Sequence, residues 1–248
     1  MPSNIKELLD KELKKRERED ELSFKRPDPL MVAQKYKDEY ISLICALFAY
    51  GNAHQIVKFL SSLDFLLLGK DETFIRKNMK NHYYRFQSSK DVEEFFVTLS
   101  KIKKKYILEN IFLNGYQKDK NVLDGLKEII TLIYDTNPYR SKGYEFLIGK
   151  IPNGKINSPY KRWNMYLRWM VRDKEQDLGI WKRVDKSSLL IPLDTHTFKV
   201  SQKLGLLKRK SYDFKSVELL TQKLKEFDKN DPVKYDFVLY RLGQEGIV

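Results

Sequence analysis

The chain has one cysteine in 248 residues. That excludes an intrachain disulfide and any iron–sulfur or zinc–thiolate centre drawn from a single chain. Cys45 sits inside the apolar run Ile41-Ser-Leu-Ile-Cys-Ala-Leu-Phe-Ala-Tyr50, where a small buried hydrophobe is expected. Only three histidines occur, His54, His82 and His196, and their scatter gives no metal-ligand spacing, so neither metal nor cofactor is expected. No apolar stretch reaches the roughly 18 residues of a membrane span, and the richest run is broken by Gly51. The opening Met-Pro-Ser-Asn-Ile-Lys lacks a signal-peptide pattern. The expectation is a soluble cytoplasmic protein without membrane contact. Internal repeats and low-complexity linkers are also missing.

What is present suits a packed core, with 42% hydrophobic and 13% aromatic residues in a chain long enough for one substantial core or two small lobes. The net charge of +13 is unevenly placed. Residues 1–22 and 211–248 each sum to −1, whereas residues 140–210 carry 17 Lys and Arg against 6 Asp and Glu, and residues 76–120 carry 11 against 5. Such a field attracts phosphate backbones. A generally lysine-rich surface kept basic for solubility is the competing explanation.

Apolar residues recur at three and four almost throughout, which predicts a helical protein with little strand. Residues 4–22, with Ile5, Leu8, Leu9 and Leu13 in a dense mixed-charge setting, read as a narrow amphipathic helix or partly solvated arm ended by Pro27 and Pro29. This divides the chain into an arm of residues 1–24 and a body of residues 25–248. Further helices are predicted at roughly 40–50, 54–68, 71–80, 91–113 and 121–134. The turn-rich Ile151-Pro-Asn-Gly-Lys-Ile-Asn-Ser-Pro159 then leads into a helix to about Arg172, with Ser158 as its cap and Pro159 in its first turn. A charged connection over 173–193 contains Gly179 and Trp181, and Pro192 fixes the approach to Asp194. Helices at about 195–204, 213–227 and 232–242 follow, with Asp213 and Asp231 as expected N-caps.

Lys161 opens one apolar helix and Asp194 begins the next element, Asp194-Thr-His-Thr-Phe-Lys-Val200. An amine and a carboxylate at two helix starts can converge as a nucleophile and a charge stabiliser. A simple N-cap at Asp194 and a solvated first-turn residue at Lys161 are the alternatives.

The order of turn, Lys161, Asn164, then Leu193-Asp194-Thr-His-Thr-Phe-Lys-Val200 and Leu204-Gly205-Leu206 resembles the helix-hairpin-helix DNA glycosylase superfamily, over most of residues 40–248. The 33-residue spacing from Lys161 to Asp194 is longer than the endonuclease III pattern and looks more like the archaeal type of 8-oxoguanine glycosylase. The resemblance implies an all-α, two-lobed helical fold with a cleft between the lobes. It also implies a monomer acting on double-stranded DNA that contains a damaged base, and nucleoid-associated when bound to DNA. In that family the lysine attacks C1′ and forms a Schiff base while the aspartate stabilises positive charge, roles that fall here to Lys161 and Asp194. The family's usual Gly-x-Gly before the lysine is replaced by Lys155-Ile-Asn-Ser-Pro-Tyr160, so phosphate is expected at the Ser158-capped helix end and Lys155. Arg162, His196 and Lys199 complete the expected DNA-binding set.

Asp236 and Tyr240 lie four apart in Lys234-Tyr-Asp-Phe-Val-Leu-Tyr240, resembling the pair that reads and stacks on the base in 8-oxoguanine glycosylases. An ionised carboxylate accepts the paired N1–H and N2–H donors of a guanine-type edge. Met165, one turn after Lys161, is expected to face the flipped base opposite Tyr240. Core packing is the plainer account of Met165 and Tyr240, and a first-turn carboxylate that of Asp236. Asn52 resembles the position of a gap-filling glutamine in endonuclease III relatives, against a plain turn residue beside Gly51. Tyr84, Arg85 and Phe86 read equally as core or DNA contacts. The expected activity is a glycosylase with AP lyase activity on an oxidised purine such as 8-oxoguanine. The alternatives are a water-activating glycosylase for alkylated purines, a non-catalytic helical nucleic-acid-binding protein, and an interaction domain with an incidental basic surface.

Overall fold

A computed structural model describes residues 5–16, 21–23, 25–154, 156–174 and 176–246. Its helices in chain order are α1 (Ile5–Arg16), α2 (Leu30–Tyr36), α3 (Glu39–Leu47), α4 (Ala53–Ser62), α5 (Glu72–Asn78), α6 (Ser89–Lys103) and α7 (Leu108–Tyr116). They continue with α8 (Val122–Thr136), α9 (Lys142–Ile148), α10 (Lys161–Val171), α11 (Thr195–Lys203), α12 (Phe214–Lys225) and α13 (Asp236–Gln244). Among the described residues there is no β-strand, only isolated bridges at Ser23 with Arg26 and Tyr84 with Gln87. The fold is all-α, as the periodicity predicts.

Two compact units emerge, one of Pro27–Gly154 and one that joins Met1–Arg26 to Lys155–Val248. This differs from an arm of 1–24 and a body of 25–248. Leu9 is wholly buried, and Arg16 at the end of α1 reaches Glu245 at 2.7 Å and Glu12 at 3.0 Å. Tyr235, just before α13, donates its hydroxyl to Asp10. The mixed charges that suggested a solvated arm are instead matched to partners within this unit.

In the Pro27–Gly154 unit, α3 is buried along nearly its whole length, which is why its run is uniformly apolar. Helix α6 starts in a capping box formed by Ser88 and Asp91, and places Phe95 and Phe96 in the core. Helices α7 and α8 approach where both lack side chains. A Cβ at Gly115 meets the Asp124 carbonyl at 2.2 Å, and one at Gly125 meets the Phe112 ring at 2.5 Å.

The single helix predicted over 91–113 is broken after Lys103 by a tertiary cap. Glu39 of α3 accepts the Leu108 amide at 2.7 Å and the Glu109 amide at 3.2 Å, while Tyr40 donates to the Tyr106 carbonyl. Local periodicity carries no trace of a cap supplied from some 70 residues away. Helix α2 was likewise missed, because a seven-residue helix after two prolines has too few turns to display a period.

The other unit packs α1 against α13 and α11 against α13. A Cβ on Gly243 would meet the Val200 side chain at 2.8 Å and His196 Cβ at 3.3 Å, so α13 lies close on α11 there. The irregular 173–193 connection is held by backbone bonds to the end of α10, from Leu178 to Trp169 and from Trp181 to Met170. Trp181 is buried edge-on to Tyr166.

Candidate active site

The chain enters α10 through Tyr160, whose φ of 49° places it in the left-handed region and whose side chain is buried. This corrects the expected start. Ser158 is exposed and accepts only the Tyr160 amide, at 3.4 Å, and Pro159 lies before the helix. The buried Tyr160 ring sets the turn, so the helix begins two residues after Pro159 and no side chain caps it. Asn164 closes the turn by donating to the Pro159 carbonyl at 3.1 Å. Lys161 is thus the first helical residue, in the end of the helix that carries partial positive charge. It is half-buried, and no hydrogen bond or ion pair from a described residue holds its amine.

Spacings of four and three carry Lys161, Met165 and Arg168 along one stripe of α10. Met165 is buried.

Asp194 is the N-cap of α11, the alternative weighed for it beside a catalytic role. Its Oδ1 accepts both the His196 amide at 2.9 Å and the Thr197 amide at 2.8 Å. Its Oδ2 takes no part in the cap, so the carboxylate can cap and still face a developing charge. His196 is exposed and lies edge-on to the half-buried Tyr240, with ring centroids 6.4 Å apart. Lys199 is exposed and Arg162 half-exposed.

Asp231 does not cap α13, contrary to expectation. Arg172 Nε holds both its oxygens at 3.0 Å, and α13 begins only at Asp236. Asp236 is buried and ion-paired with Arg168. Burial pushes its carboxyl up to about 6; Arg168 opposes this, the Asp194 carboxylate adds to it, and Lys161 pulls it down. Lys161 and Asp194, at the starts of α10 and α11, are therefore each in electrostatic reach of Asp236 at the start of α13.

The remaining candidates divide. Asn52 is exposed in the Pro27–Gly154 unit and caps α4, accepting the His54 amide at 3.0 Å and the Gln55 amide at 3.3 Å. Tyr84 belongs to the core, whereas Phe86 is 60% exposed, with the exposed Arg85 guanidinium 5.6 Å from its ring. Lys155 lies outside the described residues. Cys45 is buried, and burial pushes its thiol up. Among the described residues no group of three or more His, Cys, Asp or Glu is arranged to hold a metal ion, and no helix is long and apolar enough to cross a membrane.

The sequence reading missed Arg168 and its partner Asp177. Arg168 Nε donates to Asp177 Oδ1 at 3.1 Å, and Arg172 donates to Asp177 Oδ2. The signal was present: two arginines four apart punctuate an otherwise apolar helix, seven and eleven residues after Lys161.

A family model described as a protein of unknown function (DUF2400) matches residues 28–245. No curated protein and no solved structure matches the chain.

Proposed function

As the chain belongs to the DUF2400 family, whose description assigns no activity, we propose from its site that it is a DNA glycosylase with AP lyase activity on an oxidised purine, with 8-oxoguanine the expected lesion. The observation that carries the reading is a half-buried Lys161 amine, without a partner among the described residues, in electrostatic reach of the buried Asp236 carboxyl, which Asp194 also reaches. The basic 140–210 stretch supports a polyanionic partner, and Arg162, His196 and Lys199 are accessible beside the site.

In this reading a damaged nucleotide is flipped from double-stranded DNA, at a cost of a few kcal/mol offset by stacking and phosphate contacts. Asp236 accepts the N1–H and N2–H of the base, and Met165 and Tyr240 flank its faces. The Lys161 nitrogen forms a bond to C1′ as the C1′–N9 bond breaks, and the base leaves with a proton. Asp194 Oδ2 stabilises the positive charge that develops on the sugar. The nitrogen lone pair then forms the C=N bond as the C1′–O4′ bond breaks and O4′ takes a proton. Loss of a proton from C2′ of the protonated imine expels the 3′ phosphate and nicks the strand, and water hydrolyses the imine to restore the amine.

The test compares base release and strand nicking by the wild-type protein and Lys161→Gln, on a duplex carrying one 8-oxoguanine. Release and nicking together in the wild type, with both lost in the variant, support the reading. Release without nicking, undiminished in the variant, overturns the lysine mechanism and points to water activated by Asp194. Salt-sensitive binding with no turnover overturns the enzyme.

A further inference from the structure

We propose that Arg168 is a positioning residue for Asp236, anchored by Asp177, and that this buried relay makes the site selective for bases that present two adjacent N–H donors. The inference rests on the reading of Asp236 as the base-edge acceptor.

A guanidinium is a rigid plane with donors at fixed angles, so fastening it at both ends fixes what it holds. Arg168 is fastened in that way. Its Nη1 donates to Asp236 Oδ2, and its Nε donates to Asp177 Oδ1 at 3.1 Å. Asp177 is gripped from its other oxygen by Arg172 Nη1, and Arg172 Nε holds Asp231 through both oxygens at 3.0 Å. All five side chains are at least 86% buried. Arg168 is on α10, seven residues after Lys161, and Arg172 is the C-cap of that helix, so the helix that carries the amine also orients the acceptor.

The charges give the arrangement its chemical sense. Arg168 takes one oxygen of Asp236, Oδ2, and no bond to Oδ1 occurs among the described residues. A buried carboxylate oxygen is costly unless donors meet it. Asp236 is the member at the helix start, and Oδ2 is the oxygen that takes the Arg168 bond. A base edge with two N–H groups meets the carboxylate, whereas an edge that presents an acceptor is repelled. Burial, Arg168 and Lys161 from α10 and Asp194 from α11 together set the proton affinity of Asp236. Loss of Arg168 therefore favours the protonated acid, which offers a donor where an acceptor is needed.

The experiment measures kcat/KM against pH for Arg168→Met, Arg168→Lys and Asp177→Asn on an 8-oxoguanine duplex, in parallel with imine trapping on a duplex carrying an abasic site. The abasic substrate uses Lys161 and has no base to read. The expected result is a loss of about 100-fold on the lesion for Arg168→Met, with abasic trapping within about threefold of wild type. The acid limb moves to higher pH, and Arg168→Lys recovers about tenfold of the loss. Asp177→Asn leaves the guanidinium in place and removes a competing negative charge from it, so the limb moves to lower pH. Equal losses on both substrates, or an unmoved acid limb, overturn the positioning role and leave the glycosylase intact. A wild-type protein inactive on both substrates overturns the glycosylase and this assignment together.

Discussion

Lys161 and Asp236 act on one another without pairing: the lysine pulls the proton affinity of the buried carboxyl down, yet the ion pair of Asp236 goes to Arg168. In the proposed mechanism Lys161 and Asp236 meet one nucleotide from two sides, with Asp236 oriented by Arg168.

Asp194 caps α11 through Oδ1, and the proposed mechanism gives Oδ2 the charge on the sugar, so substitution separates the two. Asn in its place keeps a side-chain oxygen for the His196 and Thr197 amides, so Asp194→Asn is expected to change stability by less than about 1 kcal/mol. Its base excision rate is expected to fall by about two to three orders of magnitude. Urea unfolding and single-turnover kinetics on the same preparation check this, and retention of full excision by the variant would remove Asp194 from the chemistry.

Asp236 gives stability a pH signature. Its carboxyl sits at about 6 in the fold against about 3.9 in an unfolded chain. Between those values the folded form keeps its proton while the unfolded form has lost it. The resulting stabilisation is complete below about pH 4 and is lost as pH rises through 6. The stability of wild type relative to Asp236→Asn is therefore expected to fall by about 2 kcal/mol between about pH 4 and 7.5. Urea titrations across that range measure it; a pH-independent difference would show an ordinary carboxylate at this position.

Arg16 tests whether α1 belongs to its unit or merely trails from it. The guanidinium is buried and faces Glu12, Glu21 and Glu245. Arg16→Met takes this cation from Glu245, whereas Glu12 keeps Lys15 and Glu21 keeps Arg26 and Arg241, so a loss of about 2 kcal/mol is expected in urea unfolding. A change below about 0.5 kcal/mol is what a solvated arm gives.

The parts of this molecule that the sequence makes legible are those decided within one or two helical turns. Asp194 caps α11 and Asp213 caps α12 because an aspartate and the two or three residues after it suffice for the motif. The start of α7 was illegible because Glu39 supplies its cap from another helix. Asp231 looked like a cap for α13 for the same local reason, but Arg172 takes both its oxygens. At the site, Lys161 and Asp194 were readable from position. The role of Arg168 was not, because only the fold brings Asp177 and Asp236 to the two ends of its guanidinium.

The most direct measurement is borohydride trapping of the purified protein on duplex DNA carrying one 8-oxoguanine, beside duplexes with undamaged guanine and with an abasic site. The account predicts a covalent adduct on the lesion and on the abasic site, none on undamaged DNA, and none on any duplex for Lys161→Gln. An adduct that forms equally well with Lys161→Gln, or no adduct on any substrate while DNA remains bound, would contradict it.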